Sequence, residues 1–145
     1  MEEISPPPEH CTTVRVRYPE TDRMGVAYHA HYLVWLELGR TELMRELGCV
    51  YAELEQQEGI YFPVSKLGLR YHAPARYDDW LCVRTRLTSV GGARVRFEYE
   101  VTRKDGRRET LIASGFTEHA SVDGDCRPLR LPAEIRGRLG AGTEC

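Results

Sequence analysis

YPETDRMGVAYHAHY, residues 18–32, runs directly into LVWLELGRTELMRELG, residues 33–48. Leu33, Leu36, Leu43, Met44 and Leu47 recur there at helical spacing as one stripe, which Tyr32 and Trp35 widen. Glu37, Thr41 and Arg45 lie on the opposite side, so the stretch reads as an amphipathic helix. The pattern predicts a helix from about Ala30 to Leu47, ended by Gly48 as a C′ residue. Such a helix spans on the order of 25 Å, enough to cross several strands. In the loop before it, Gly25 permits a tight bend, Asp22 supplies a carboxylate, and His29 falls just ahead of the helix. A helix start is a cluster of unpaired N–H groups with partial positive charge. That cluster suits a carbonyl oxygen on its way to an oxyanion. A carboxylate beside it is the minimal kit for hydrolysing an activated ester.

On either side of this stretch the period changes to two. TTVRVRY, residues 12–18, sets Val14, Val16 and Tyr18 against Arg15 and Arg17, as a half-buried strand does. Ala52 to Gly59 is charged and reads as a second short helix or a loop. Ile60 to Ser65 and Lys66 to His72 read as extended. Leu81, Val83, Thr85 and Leu87 alternate with polar neighbours, and so do Val95, Phe97, Tyr99 and Val101. A last strand is predicted near Thr110 to Val122. Gly91-Gly92 and Asp105-Gly106 are hairpin turns between these strands. Leu131 to Leu139 reads as a short terminal helix with Pro132 in its first turn. Pro6-Pro7-Pro8 predicts a flexible tail over residues 1–11, and a second tail is predicted over 138–145. One domain is left between them, residues 12–137. One long helix followed by antiparallel strands is an α+β arrangement.

The composition bounds the function. With 145 residues, 41% hydrophobic and 29% charged, the chain has room for one core and is not disordered. A net charge of −2 argues against general nucleic-acid binding. No apolar run reaches the roughly 18 residues of a membrane span, and the acidic, proline-rich start has no signal-peptide core. A cytoplasmic protein is expected. Cys11, Cys49, Cys82, Cys126 and Cys145 are odd in number and widely spaced. No disulfide framework or zinc pair is visible in that spacing, so each is expected as a reduced thiol. No metal site and no cofactor are expected from the histidines, which lack a compact ligand set.

The run VRYPETDRMGVAYHAHYLVWLELGRTELMR resembles the signature of hotdog-fold acyl-CoA thioesterases of the 4-hydroxybenzoyl-CoA thioesterase type. Within that family it looks most like the Tol-Pal-associated bacterial acyl-CoA hydrolase branch. The later stretch FPVSKLGLRYHAPARYDDWLCVRTRL fits as well. The resemblance implies a hotdog fold, an antiparallel sheet wrapped around one long central helix. It implies a homodimer or homotetramer with acyl-CoA at the subunit interface. It implies that Asp22, four residues after Tyr18, is the catalytic carboxylate. His29, seven residues on, would offer its backbone N–H to the thioester carbonyl. Two positions depart from the pattern: His31 stands where Asn or Ser is usual, and Gly39 replaces an alanine.

The residues then read as follows. Asp22 either attacks the thioester to form an anhydride or activates a water as general base; taken alone it would be an ordinary turn residue. The His29 side chain orients Asp22 or its water, assists the leaving thiolate, or is structural. Tyr18 bonds the carboxylate or simply packs. By the resemblance Ser65 lies on a strand lining the partner's site. Arg94, after the Gly-Gly turn, is the best candidate for CoA phosphates, with a solvated strand charge as its plain alternative. His31 and His72 read as structural, His10 and His119 as surface groups. The expected function is hydrolysis of acyl-CoA to acid and CoA. Hydrolysis of an acyl chain from acyl carrier protein and non-catalytic acyl-CoA binding are the alternatives.

Overall fold

The computed structural model describes residues 1–140. Two N-terminal strands, β1 (Glu2–Glu3) and β2 (Glu9–Arg15), lead into the long helix α1 (His31–Glu46). A short helix α2 (Tyr51–Glu53) continues as a π-turn over Leu54–Glu58. Strands β3 (Val64–Tyr71), β4 (Trp80–Val90), β5 (Arg94–Asp105) and β6 (Arg108–Ala120) follow, and α3 (Ala133–Arg138) closes the fold. All pairings are antiparallel, in the order β1-β4-β5-β6-β3, with β2 also on β4. β3 is thus an edge strand.

The alternation read from the sequence sets the core. Leu81, Val83, Thr85 and Leu87 of β4 and Val95, Phe97, Tyr99 and Val101 of β5 all point inward and are buried. Tyr32, Trp35, Leu36, Leu43 and Met44 of α1 lie on them. Gly39 is the point of closest approach: a Cβ there would run into Thr85 Oγ1 and lie 2.9 Å from Val83 Cγ1. Leu33, expected in the same stripe, is exposed, as are Val34 and Leu38. That apolar face of α1 flanks the open edge of the sheet.

Three further expectations are corrected. The N-terminal segment is not a loose tail. Glu9 bonds Arg84 at 3.0 Å and Arg86 at 3.3 Å, and the Pro8 carbonyl accepts the Leu87 N–H at 3.0 Å. The three prolines break β1 from β2 but leave their carbonyls free to pair. Cys11 and Cys82 form a disulfide across β2 and β4, with Cα atoms 6.0 Å apart. Cys11 faces Arg84 and Cys82 faces Thr13, a diagonal on one sheet face. A separation of 71 residues hides that proximity from sequence spacing. His119 is fully buried under α1 rather than on the surface. The predicted C-terminal tail begins within α3, and its residues 141–145 lie outside the described residues.

His119 belongs to a chain of hydrogen bonds whose directions follow from one fixed end. Its Nδ1 lies 3.0 Å from the Phe62 carbonyl, an acceptor, so Nδ1 carries the proton. Burial pushes the ring's pKa down to about 4, so the ring is neutral and Nε2 accepts. The Thr117 hydroxyl, 2.8 Å away, therefore donates to Nε2, and the Tyr99 hydroxyl at 2.6 Å donates to Thr117. Tyr99 oxygen is left to accept from Arg40. A folded pKa below the unfolded value means that the unfolded chain takes the proton first. Stability should fall as pH drops from about 6.5 towards 4, by about 2 kcal/mol at pH 5. Thermal melts of wild type and His119→Gln between pH 7 and 5 test this. The wild-type slope should be the steeper, and equal slopes would exclude a buried neutral imidazole.

Candidate active site

β2 ends where Val16 exchanges backbone bonds with Asp78 and Asp79, and a 3-10 turn over Tyr18–Glu20 then redirects the chain. The next residues fold back on themselves. Thr21 bridges Ala27, Asp22 N–H donates to the Val26 carbonyl at 2.9 Å, and Tyr28 N–H donates to the Glu20 carbonyl at 2.7 Å. Gly25, with φ +76°, supplies the left-handed residue that this tight return needs. Ala27 N–H and the Val26–Arg76 bridge seat the loop on the segment before β4. That segment is held in turn by Arg103, which bonds the Pro74 carbonyl at 2.9 Å and Asp79 at 3.2 Å.

Asp22 sits at the tip, half-buried, with Oδ1 accepting Met24 N–H at 2.8 Å. The loop's other limb runs from Tyr28 through exposed His29 into α1. No side chain caps this helix; His31 N–H is taken instead by the Tyr28 carbonyl at 3.0 Å. The N-cap is Ala30, and His31, standing where Asn or Ser is usual, is the first residue of the helix. Among the described residues the His29 N–H has no acceptor. Its carbonyl accepts the Tyr71 hydroxyl at 2.8 Å. Burial raises the Tyr71 pKa and keeps that hydroxyl a donor. Asp22 and His29 therefore lie on the two limbs of one closed loop, with Asp22 opposite Val26 and His29 one residue beyond the Tyr28–Glu20 pair.

The other expected residues lie elsewhere. Tyr18 is 76% exposed, and its ring meets Tyr77 edge-on at 5.9 Å rather than bonding Asp22. Ser65 is the extra residue of a bulge in edge strand β3, its hydroxyl on the Glu118 carbonyl at 3.1 Å. Arg94 opens β5 at the Val90 end of β4, whereas the Asp22 loop is seated near Trp80. Ten residues of strand separate those ends by about 33 Å.

Three contributors carried no sequence signal of their role. Tyr71 fixes the His29 peptide from a strand 42 residues away. Glu20 and Trp35 form a buried pair beneath the loop, Trp35 Nε1 donating to Glu20 Oε2 at 3.2 Å. A cleft of about 180 Å³ opens between α1 and β3, starting one helical turn beyond His29. Leu33, Val34, Val64 and Leu67 line it, and Arg40 and Thr117 give it a polar end. Among the described residues no three His, Cys, Asp or Glu side chains stand together to hold a metal ion. Among the described residues no helix is long and apolar enough to cross a membrane.

An antiparallel sheet wrapped on one long helix is the hotdog arrangement. A profile described as the thioesterase superfamily matches residues 24–110, and the chain belongs to that family. It is 38% identical to the acyl-CoA thioesterase YbgC of Haemophilus influenzae, over 85% of this chain and 88% of that protein. It is 36% identical to the putative acyl-CoA thioesterase YneP of Bacillus subtilis, over 76% and 77%. Among solved structures, the DHNA-CoA thioesterase of Staphylococcus aureus is 33% identical with a TM-score of 0.79, covering 85% of this chain and 80% of that one. The hotdog fold and the thioesterase family expected from the loop and helix motif are both borne out.

Proposed function

We propose that this thioesterase hydrolyses acyl-CoA to free acid and CoA, with Asp22 as its catalytic carboxylate. The observation that carries the reading is a His29 N–H without an acceptor at the start of α1, on the same closed loop that carries the half-buried Asp22. A thioester carbonyl on that N–H gains charge as it is attacked, and a donor already in position stabilises it without reorganising. Asp22 supplies either the attacking oxygen or the base for water. The leaving thiolate departs with the CoA, and the acyl group fits the cleft between α1 and β3. Relatives named acyl-CoA thioesterases support this substrate class. The test is a panel of acyl-CoAs from acetyl to palmitoyl plus aromatic ones, with released thiol as readout. No thiol release from any of them would overturn the reading.

The working unit in this reading is a dimer. β3 is an open edge, and Val64, Leu67 and Tyr71 on it are exposed beside Leu33, Val34 and Leu38 of α1. An unpaired strand with an apolar flank invites a second copy. Two-fold pairing of β3 with itself is antiparallel. It would bring the Ser65 end of one subunit to the Tyr71 and His29 end of the other. It would also bring Arg94 towards the partner's substrate. Arg94→Ala should then raise KM for acyl-CoA much more than it lowers kcat, because a phosphate contact is equal in ground and transition states. The effect should shrink for a pantetheine thioester and with added salt. Equal KM changes for both substrates would move the phosphate site, with Lys66 and Arg70 next in line.

A further inference from the structure

We infer that Glu20 is a positioning residue, its carboxylate locking the Asp22 loop and the start of α1 into one unit through Trp35. The inference rests on the assignment of Asp22 as the catalytic carboxylate.

Glu20 is only 3% exposed, although it is a carboxylate two residues from a half-buried loop tip. Oε1 accepts the Arg17 N–H at 2.7 Å. Oε2 accepts the Trp35 indole N–H at 3.2 Å and a long bond from the Arg17 guanidinium at 3.4 Å. Burial by itself pushes the Glu20 pKa up. The Arg17 and Trp35 hydrogen bonds and the Arg17 charge outweigh it and hold the carboxyl below its ordinary value. The buried group is therefore an anion with both oxygens engaged.

The partners decide what this anion does. Arg17 lies two residues after β2, and Trp35 is one turn into α1, buried against Tyr32 at 4.8 Å between ring centres. The side chain thus ties the entry of the loop to the helix. The main chain of Glu20 ties the exit, because its carbonyl accepts Tyr28 N–H at 2.7 Å, one residue before His29. Both limbs of the loop are referred to one residue. Packing alone does not demand a charge here, and a buried carboxylate is costly unless the geometry around it is worth keeping. The task it suits is the separation between the Asp22 carboxylate and the His29 N–H, where an error of about 1 Å can cost on the order of 10²-fold in rate.

Glu20→Gln and Trp35→Phe test the idea separately. Gln keeps the size of the side chain but presents an NH₂ donor to a donor already there; Phe keeps the ring packing and removes the indole N–H. Each folded variant is expected to lose 10- to 100-fold in kcat with KM for acyl-CoA changed less than threefold. The double variant should lose little more than either single one, since both break the same bond. The Trp35 indole proton resonance should move upfield in Glu20→Gln, which reports the lost bond independently of rate. Wild-type kcat in both folded variants overturns the inference. So does a loss that follows the folded fraction measured by circular dichroism, since that would mark a purely structural residue. Asp22→Asn assayed alongside separates the two readings. If it is inactive while Glu20→Gln and Trp35→Phe are normal, only the positioning role falls. If it is fully active, the assignment of Asp22 falls first.

Discussion

Asp22→Asn should turn over acyl-CoA about 10²–10⁴-fold more slowly than wild type if Asp22 is the general base, and more slowly still if it is the nucleophile. The substitution keeps the shape of the side chain. Asn Oδ1 can still accept the Met24 N–H that Asp22 accepts at 2.8 Å, so the turn should survive. What goes is the negative charge and the basic lone pair. Binding should be preserved, because the His29 N–H and the cleft are untouched. Titration calorimetry with a non-hydrolysable CoA thioether measures that part, and thiol release measures the rest. Single-turnover experiments in ¹⁸O water divide the two mechanisms for the wild type. Label in Asp22 marks an anhydride opened at the aspartyl carbonyl, whereas a general-base route leaves all the label in the product acid. Undiminished turnover by folded Asp22→Asn would falsify the catalytic assignment.

Leu67→Asp should abolish both assembly and turnover. Leu67 is 46% exposed on edge strand β3, between the exposed Val64 and Tyr71. A two-fold pairing of β3 would set two copies of the new carboxylate close together, and like charges opposed across strands repel. Burying either one unpaired costs several kcal/mol more. Inside the monomer the position is open to solvent, so the subunit's own fold should tolerate the change. Sedimentation should then show a monomer with a normal melting transition, and thiol release should drop to background. An active Leu67→Asp monomer would contradict a site shared between subunits.

Some of this was legible in the one-dimensional pattern and some was not, for reasons that differ by residue. The helix from His31 to Glu46 and the inward faces of β4 and β5 follow from periods of 3.6 and 2, which are local properties of the chain. The tight return at Gly25 was legible because only a glycine takes its φ of +76° without strain. Leu33 was misread because a hydrophobic stripe marks burial against something, without saying whether that is the same subunit. His119 was misread because a lone polar residue in an alternating strand carries no sign of the partner that neutralises it. The Phe62 carbonyl, 57 residues away, is one partner, and Tyr99 reaches the ring only through Thr117.

The sequence by itself determined the order of the elements from the long helix onward, the thioesterase family and the placing of Asp22 and His29 on one loop. All of these depend on neighbours within about a dozen residues. Tertiary structure alone decided the disulfide between Cys11 and Cys82, the support of His29 by Tyr71, and the separation of Arg94 from Asp22. The buried bond between Glu20 and Trp35 belongs with them. Each is a contact whose distance is set by strand register and helix docking, and chain separation carries no record of either.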